Sequence, residues 1–156
     1  MSYSHHHLRQ TKNKKKNKGD VKKSSSPSAY RILIVDDEAD ITTTLKMGLE
    51  NSGLFLVDTF TDSVQALSQF KPRVYNLLLL DVRMPKINGF ELYHEIKKID
   101  KTVKVYFITA YEVYYETLKK EEFPSLNVGC FIKKPIQIKD LISRIKEELQ
   151  LSQSLQ

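Results

Sequence analysis

Polar side chains capable of chemistry stand directly after four of the most apolar segments of the chain. These side chains are Asp36, Asp37, Glu38, Asp81, Thr109, Lys133 and Lys134. If the apolar segments are strands of one parallel sheet, their carboxyl ends meet at a single edge. The pattern therefore predicts a site at which carboxylates, a hydroxyl and an ammonium converge.

Carboxylates gathered at such an edge require a counter-charge. Two like charges about 4 Å apart repel by roughly 4 kcal/mol at an effective dielectric constant of about 20. Oxygen ligands without a neighbouring His or Cys suit a hard divalent cation, most of all Mg²⁺, which combines one or two carboxylates with phosphate oxygens. No Ser or Cys with an adjacent base follows these segments, so a phosphoryl group is expected to join a carboxylate as an acyl phosphate.

Short apolar segments recur along the chain at the spacing of strands. An uninterrupted apolar run of this length is typical of a strand buried on both faces. The predicted strands cover residues 31–35, 54–59, 74–80, 103–108 and 128–132.

The intervals between the strands carry apolar residues at helical spacing. In the first helix they recur every four residues from Ile41 to Leu49, with Gly53 as the stop. Asp62 can cap the second helix. A fourth helix is predicted over residues 112–120. The apolar residues of the second helix are Val64, Leu67 and Phe70, and those of the third are Phe90, Tyr93 and Ile96. The apolar face of the last helix consists of Ile138, Leu141, Ile142, Ile145 and Leu149. Five strands alternating with five helices predict an α/β fold: a doubly wound, five-stranded parallel sheet with helices on both faces.

The length of 156 residues allows one full domain. Residues 1–29 hold eight of the 25 basic residues and one of the 19 acids, so they carry +7 while the remainder carries −1. This basic, low-complexity segment has too few apolar residues to offset its chain entropy, and it is expected to be a disordered tail. We expect one domain over residues 30–150 and a short C-terminal tail over 151–156.

Several classes of protein are disfavoured. One cysteine, Cys130, excludes an internal disulfide and a zinc site built from cysteines. The five glycines never form a dinucleotide-binding or Walker A motif. No apolar run approaches the roughly 20 residues that span a bilayer, and the basic N-terminus lacks the apolar core of a secretory signal. The expected compartment is therefore the cytoplasm.

Five motifs stand in order at the ends of the predicted strands. They are IVDDE at 34–38, LLDVRMP at 79–85, Gly89, TAY at 109–111 and KP at 134–135. Together they resemble the receiver domain of two-component response regulators over roughly residues 30–149. The resemblance implies a flavodoxin-like fold and a phosphorelay function. The phosphoryl group would come from a histidine kinase or a histidine phosphotransfer protein and would switch a surface that binds an unknown downstream protein.

The resemblance also implies roles for the acidic residues. Asp81 matches the phosphoacceptor, and Asp36 and Asp37 match the acidic pair that binds Mg²⁺ together with it. The backbone carbonyl of Arg83, two residues after the acceptor, matches a further metal ligand. The Arg83 side chain stands at a variable position of the family, so the rate of autodephosphorylation stays open.

The remaining matched positions concern switching. Thr109 resembles the hydroxyl that bonds a phosphoryl oxygen, and Lys134 resembles the lysine that bridges to the phosphoryl group. Phe131 falls where the family places a rotating aromatic side chain, here without a hydroxyl. Pro135 has a structural role, since the bond before it is usually cis in the family.

Alternatives exist for single residues and for the function. Alone, Asp36 or Asp37 could cap the first helix, and Thr109 could be an ordinary strand end.

With only seven residues after Leu149, a stand-alone receiver is expected, a signalling protein that phosphorylates itself instead of turning over an external substrate. In the alternative function, the receiver modulates a Lys-rich tail that binds nucleic acid or an anionic membrane. An enzyme acting on phosphate esters is disfavoured because Arg83 stands where a second acid is needed.

Overall fold

Strands and helices alternate through the part of the chain that the computed structural model describes, residues 29–110 and 130–151. The strands are β1 (Tyr30–Val35), β2 (Phe55–Phe60), β3 (Leu77–Asp81), β4 (Lys104–Thr109) and β5 (Phe131–Lys133). The helices are α1 (Ala39–Asn51), α2 (Ser63–Gln69), α3 (Gly89–Ile99) and α4 (Ile138–Glu148). The expected tails up to residue 28 and from residue 152, and the helix predicted over 112–120, lie outside the described residues.

The five strands form one sheet in the order β2-β1-β3-β4-β5, and every neighbouring pair is parallel. One core cluster packs α2 and α3 against one face of the sheet, and a second packs α1 and α4 against the other. The predicted doubly wound α/β architecture is confirmed.

The central strands are buried on both faces, which explains their uninterrupted apolar sequence. In β1, Leu33 and Val35 belong to the cluster under α2 and α3, whereas Ile32 and Ile34 belong to the cluster under α1 and α4. Because successive side chains of a strand point to opposite faces, a strand covered on both sides needs apolar residues at every position. Burial of each such side chain contributes roughly 1.5–3 kcal/mol.

Local sequence sets the helix ends. The side chain of Asp62 accepts a hydrogen bond from the Gln65 N–H at 3.0 Å, which confirms the predicted cap of α2. Asn88 and Glu91 form a reciprocal capping box at the start of α3, with bonds of 2.8 and 2.9 Å. Gly53, two residues beyond α1, has a φ of +74°, a conformation that glycine adopts without steric cost.

Three sequence predictions of local structure are wrong in detail. Cys130, predicted within the last strand, precedes β5, which begins at Phe131 and extends to Lys133. β3 begins at Leu77 instead of residue 74, because Arg73 adopts a left-handed φ of +63° and the following residues turn into the strand. Of the apolar residues predicted to face inward from α2, Leu67 and Phe70 do pack in the core, but Val64 is 45% exposed. Ser63 and Ala66 are the buried residues within the helix. A helix of seven residues gives too short a period to fix its inward face from sequence.

Within residues 29–110 and 130–151, no helix combines the length and apolarity needed to cross a membrane.

Candidate functional site

The polar groups predicted to converge do lie at one edge of the sheet. Five of them line a cavity of about 230 Å³ at the carboxyl ends of β1, β3, β4 and β5. Asp36 lies beside it, bonded to Lys134, whereas Lys133 is exposed and is not part of the lining. The residues that line it are Asp37, Glu38, Asp81, Arg83, Thr109, Ala110 and Lys134. Crossovers between parallel strands bring these positions together although 98 residues separate Asp36 from Lys134.

Three carboxylates form an acidic cluster at this cavity. One oxygen from each of Asp36, Asp37 and Asp81 lies within 4.8 Å of the others. Asp36 and Asp81 are buried, with 1% and 7% of their surface exposed, and Asp37 is exposed. A close set of carboxylate oxygens without His or Cys fits a hard divalent cation such as Mg²⁺.

Lys134 supplies positive charge to this cluster. Its Nζ donates a hydrogen bond of 2.7 Å to Oδ2 of Asp36 and lies 3.6 Å from Oδ1 of Asp81. The other oxygen of Asp36 accepts the backbone N–H of Glu38 at 2.9 Å. Burial alone would lower the pKa of Lys134, but the hydrogen bond to Asp36 and the charge of Asp81 outweigh burial and raise it.

Asp81 has the opposite balance. Burial, followed by the charge of Asp36, raises the pKa of Asp81 to about 7. The charge of Lys134 and a hydrogen bond from the backbone N–H of Arg83 lower this pKa, but only in part. The carboxyl group is therefore partly protonated near neutral pH, and positive charge brought close to it would favour the ionised form.

Gly89 fixes the distance between β3 and the helix that follows, α3. A Cβ atom at this position would lie 2.2 Å from the backbone oxygen of Asp81, far inside van der Waals contact. The Gly89 N–H donates to the carbonyl of Val82 at 3.0 Å, which closes the loop between β3 and α3. Only glycine fits at this close approach.

We expect Gly89→Ala to lower the free energy of unfolding by about 2 kcal/mol, because the added methyl group must push α3 away from β3. The comparison is Gly53→Ala, where a Cβ meets no atom within 4 Å and only the positive φ is penalised. That control should cost about 1 kcal/mol. Urea unfolding measures both, and an equal or smaller loss in Gly89→Ala would contradict the role assigned to Gly89.

The other predicted site residues divide between cavity and core. Thr109 is buried at the cavity, and its carbonyl accepts the backbone N–H of Lys134 at 2.8 Å. The bond between Lys134 and Pro135 is cis, as the resemblance implied. Phe131 does not line the cavity; its ring packs in the core, 5.3 Å from the ring of Phe107 and 6.0 Å from that of Phe90.

Two residues of the cavity received no role from the sequence. Glu38 lines it in addition to being the N-cap residue of α1, and Ala110 lines it one residue beyond β4. Their positions directly after two strands are the feature from which they could have been found. Glu38 was expected at this edge of the sheet, but no role as a ligand was predicted for it.

Comparison with known proteins agrees with this geometry. The family model described as the response regulator receiver domain matches residues 32–146. The chain is 36% identical over 124 residues to a CpxR homolog of Haemophilus influenzae, a transcriptional regulatory protein, covering 80% of this chain and 52% of the relative. It is 30% identical over 128 residues to PhoP of Bacillus subtilis, a transcriptional regulatory protein of alkaline phosphatase synthesis. This match covers 79% of this chain and 50% of PhoP. The chain thus spans about half the length of these curated relatives, and the matches do not favour the alternative based on the tail.

Solved receiver structures resemble the described fold. The non-phosphorylated HemR receiver domain of Leptospira biflexa is 30% identical with a TM-score of 0.66, covering 81% of this chain and 99% of its own. The response regulator TrrA of Thermotoga maritima, in complex with Mg²⁺-BeF, is 31% identical with a TM-score of 0.59. This match covers 76% of this chain and 97% of the TrrA chain. Since the family model extends over most of the chain and the fold agrees with it, this protein belongs to the response regulator receiver domain family.

Proposed function

We propose that Asp81 is the residue on which this receiver domain, formed by residues 30–150, accepts its phosphoryl group. Phosphorylation on an aspartate is the general mechanism of the family. The observation that carries the assignment is the position of the Asp81 carboxylate at the cavity, within 4.8 Å of two other carboxylates and 3.6 Å from the ammonium of Lys134. Asp37 is exposed and Asp36 is already hydrogen-bonded through both oxygens, which leaves Asp81 as the best-placed nucleophile.

The acidic cluster is the proposed metal site. Asp36, Asp37 and Asp81, together with the backbone carbonyl of Arg83, would hold Mg²⁺. When bound, Mg²⁺ supplies positive charge that offsets the repulsion between the carboxylates and an incoming phosphoryl group. Receiver domains generally bind Mg²⁺ in an acidic pocket of this kind.

The transfer is a displacement at phosphorus. A carboxylate oxygen of Asp81 forms a new P–O bond while the bond from phosphorus to the donor breaks, and the leaving group keeps the electron pair of that bond. With a histidine kinase or a histidine phosphotransfer protein as donor, the leaving group is an imidazole whose other ring nitrogen carries a proton, so that it departs in its neutral form. The ammonium of Lys134 and the hydroxyl of Thr109 then bind phosphoryl oxygens.

The donor needs a surface beside the acceptor. An apolar recess of about 300 Å³ adjoins the site and shares Lys134 with the acidic cavity. Ile41 and Leu45 of α1 line one side of it, and Pro135 and Ile136 line the other. We propose that the phosphodonor protein covers this recess, because apolar contacts there would hold its histidine next to the acidic cavity.

Switching would begin at Thr109. Phosphorylation adds about two negative charges to Asp81, and a hydroxyl drawn towards them changes the packing at the end of β4. Phe131 pairs with Phe107 of β4 in the sheet, so a change there can reach its ring. Receiver domains are signalling proteins. We propose that the signal reaches an unknown downstream protein without turnover of an external substrate. The Arg83 side chain influences the rate at which phosphate on Asp81 is lost.

Labelling with a small phosphodonor tests the assignment. Acetyl phosphate with Mg²⁺ should add one phosphoryl group to the wild-type chain, and borohydride trapping followed by peptide mapping should locate it at Asp81. Chelation of Mg²⁺ should suppress the labelling. A phosphoryl group found on another residue, or labelling that persists without divalent cation, would contradict the proposal.

Asp37→Ala should weaken Mg²⁺ binding by about tenfold or more while leaving the metal-free fold equally or more stable. Asp37 is exposed, so its removal strands no buried partner and relieves repulsion within the cluster. Mg²⁺ titration followed by amide shifts measures the affinity, and thermal melting in chelator measures the stability.

The control for this prediction is Asp40→Ala, since Asp40 is a similarly exposed acid in the first turn of α1 but is not part of the acidic cluster. It should change Mg²⁺ affinity little. Unchanged affinity in Asp37→Ala, or a lower melting temperature without metal, would count against Asp37 as a ligand.

A further inference from the structure

The loop between β3 and α3 carries the residues that follow the proposed phosphoacceptor, and its ends are fixed by backbone hydrogen bonds. The Val82 N–H donates to the carbonyl of Ile108 at 3.2 Å, and the Gly89 N–H donates to the carbonyl of Val82 at 3.0 Å. Between these points the backbone N–H of Arg83 bonds the Asp81 carboxylate. The direction of the Arg83 peptide therefore depends on the path of residues 83–88.

The middle of this loop is tied to the start of α2. The hydroxyl of Ser63, a residue only 2% exposed, donates to the carbonyl of Pro85 at 3.2 Å. The ammonium of Lys86 forms a hydrogen-bonded ion pair with Oδ2 of Asp62. Oδ1 of the same carboxylate accepts the N–H of Gln65, so Asp62 caps α2 and holds the loop at once.

Lys86 adopts an unfavourable backbone conformation in this arrangement. Its φ is +70°, in the left-handed region that L-residues other than Asn and Asp rarely occupy. A residue stays in such a conformation when its surroundings over-determine it, and these cases concentrate at functional sites. The hydrogen bond from Lys86 lowers the pKa of Asp62, so this carboxylate is ionised at neutral pH.

We propose that Asp62, Ser63 and Lys86, here called the α2 brace, are positioning residues that orient the Arg83 peptide towards the acidic cavity. The proposal rests on the proposed function, because it takes the Arg83 carbonyl as a ligand of Mg²⁺. Met84 and Ile87 pack against the core and fix the depth of the loop. The α2 brace fixes the path of the backbone between Met84 and Ile87. The direction of the Arg83 peptide depends on this path.

Removal of either charge of the brace separates positioning from long-range electrostatics. Asp62→Asn keeps a side chain that can cap α2, and Lys86→Met keeps the length of the chain. If only the electrostatic field mattered, loss of the lysine would strengthen Mg²⁺ binding and loss of the aspartate would weaken it. The brace predicts weaker binding in both, by about threefold each, with no further loss in the double variant because one contact is broken.

Lys86→Gly adds a readout that a purely structural role would not produce. Glycine adopts a positive φ without steric cost, so this variant should unfold at a higher urea concentration than Lys86→Met. Its Mg²⁺ affinity should nevertheless fall with that of Lys86→Met, whereas Lys86→Arg should bind like the wild type. Lys86→Gly should therefore be more stable than Lys86→Met and yet bind Mg²⁺ as weakly. If a general loosening of the fold caused the weak binding, the more stable variant would bind more tightly.

The experiment is an Mg²⁺ titration of the full chain followed through the amide shift of Arg83. The control is Lys98→Met, since Lys98 is as exposed as Lys86, at 59%, and pairs with Glu95 at 2.8 Å on α3. It should bind Mg²⁺ like the wild type. Affinity that is unchanged or higher in Lys86→Met would overturn the brace alone. Failure of the wild type to bind Mg²⁺ would overturn the proposed function as well, and is seen before any variant is made.

Discussion

Asp81→Asn should abolish phosphoryl labelling and, in the absence of metal, make the protein more stable. The labelling is lost because an amide is not a nucleophile towards phosphorus. The stability rises because the ionised carboxylate is buried beside Asp36, and an amide of the same shape carries no charge that burial or repulsion can oppose. A group that serves chemistry at the expense of stability is expected at a functional site.

The stability gain must depend on pH, and its sign follows from the pKa of Asp81. This pKa is about 7 in the folded chain and about 3.9 in an unfolded one. Between these values the folded state binds more protons than the unfolded state, so the wild type loses stability as the pH rises through this window. Above about pH 7 the penalty is complete, and a difference of about three pKa units limits it to at most about 4 kcal/mol.

Melting temperatures of both proteins in chelator test this dependence. Asp81→Asn should gain most at about pH 8 and little at about pH 4. Asp100→Asn is the control, because Asp100 is also buried but accepts hydrogen bonds from Arg73 and Thr102 at 2.7–2.9 Å. That variant should lose stability instead. A gain for Asp81→Asn that is equal at both pH values would show that Asp81 is not held with a raised pKa.

The fold was largely predictable because the strands obey a simple rule. A strand covered on both faces must be apolar at every position, and the all-leucine start of β3 and the run from Ile32 to Val35 satisfy this without ambiguity. The inward face of α2 was predicted only in part: Leu67 and Phe70 do face the core, but Ser63 is buried where Val64 was expected. The Ser63 hydroxyl donates to the carbonyl of Pro85 in the loop after β3, a tertiary contact that the sequence pattern does not reveal.

The site was predictable as a set of residues but not as a set of contacts. The strand-end rule identified Asp36, Asp81, Thr109 and Lys134, since parallel strands bring their carboxyl ends to one edge. It could not say that Lys134 would bond Asp36 and stay farther from Asp81, because that choice depends on side-chain positions a few ångströms apart. The predicted helix over 112–120 stays a prediction.

Lys134→Met should lower the free energy of unfolding by about 3 kcal/mol, the largest loss of stability expected from a single change at the site. Asp36 is only 1% exposed and would be left with one hydrogen bond, from the Glu38 N–H, instead of two. Because the pKa of Lys134 is raised, its stabilising effect is complete below its unfolded value of about 10.4 and is lost only as the pH rises through the folded value. The loss in Lys134→Met should therefore be undiminished near neutral pH.

Mg²⁺ and a second substitution identify the cause of this loss. Urea unfolding should show that Mg²⁺ restores more stability to Lys134→Met than to the wild type, because the cation supplies the charge that the lysine no longer provides. Lys133→Met, a change at the neighbouring exposed residue, should stay within about 0.5 kcal/mol of the wild type. The double variant Asp36→Asn with Lys134→Met should recover most of the loss, since no buried charge is left without its partner. If the double variant were as unstable as Lys134→Met, lost packing of the lysine stem, and not the stranded carboxylate, would account for the effect.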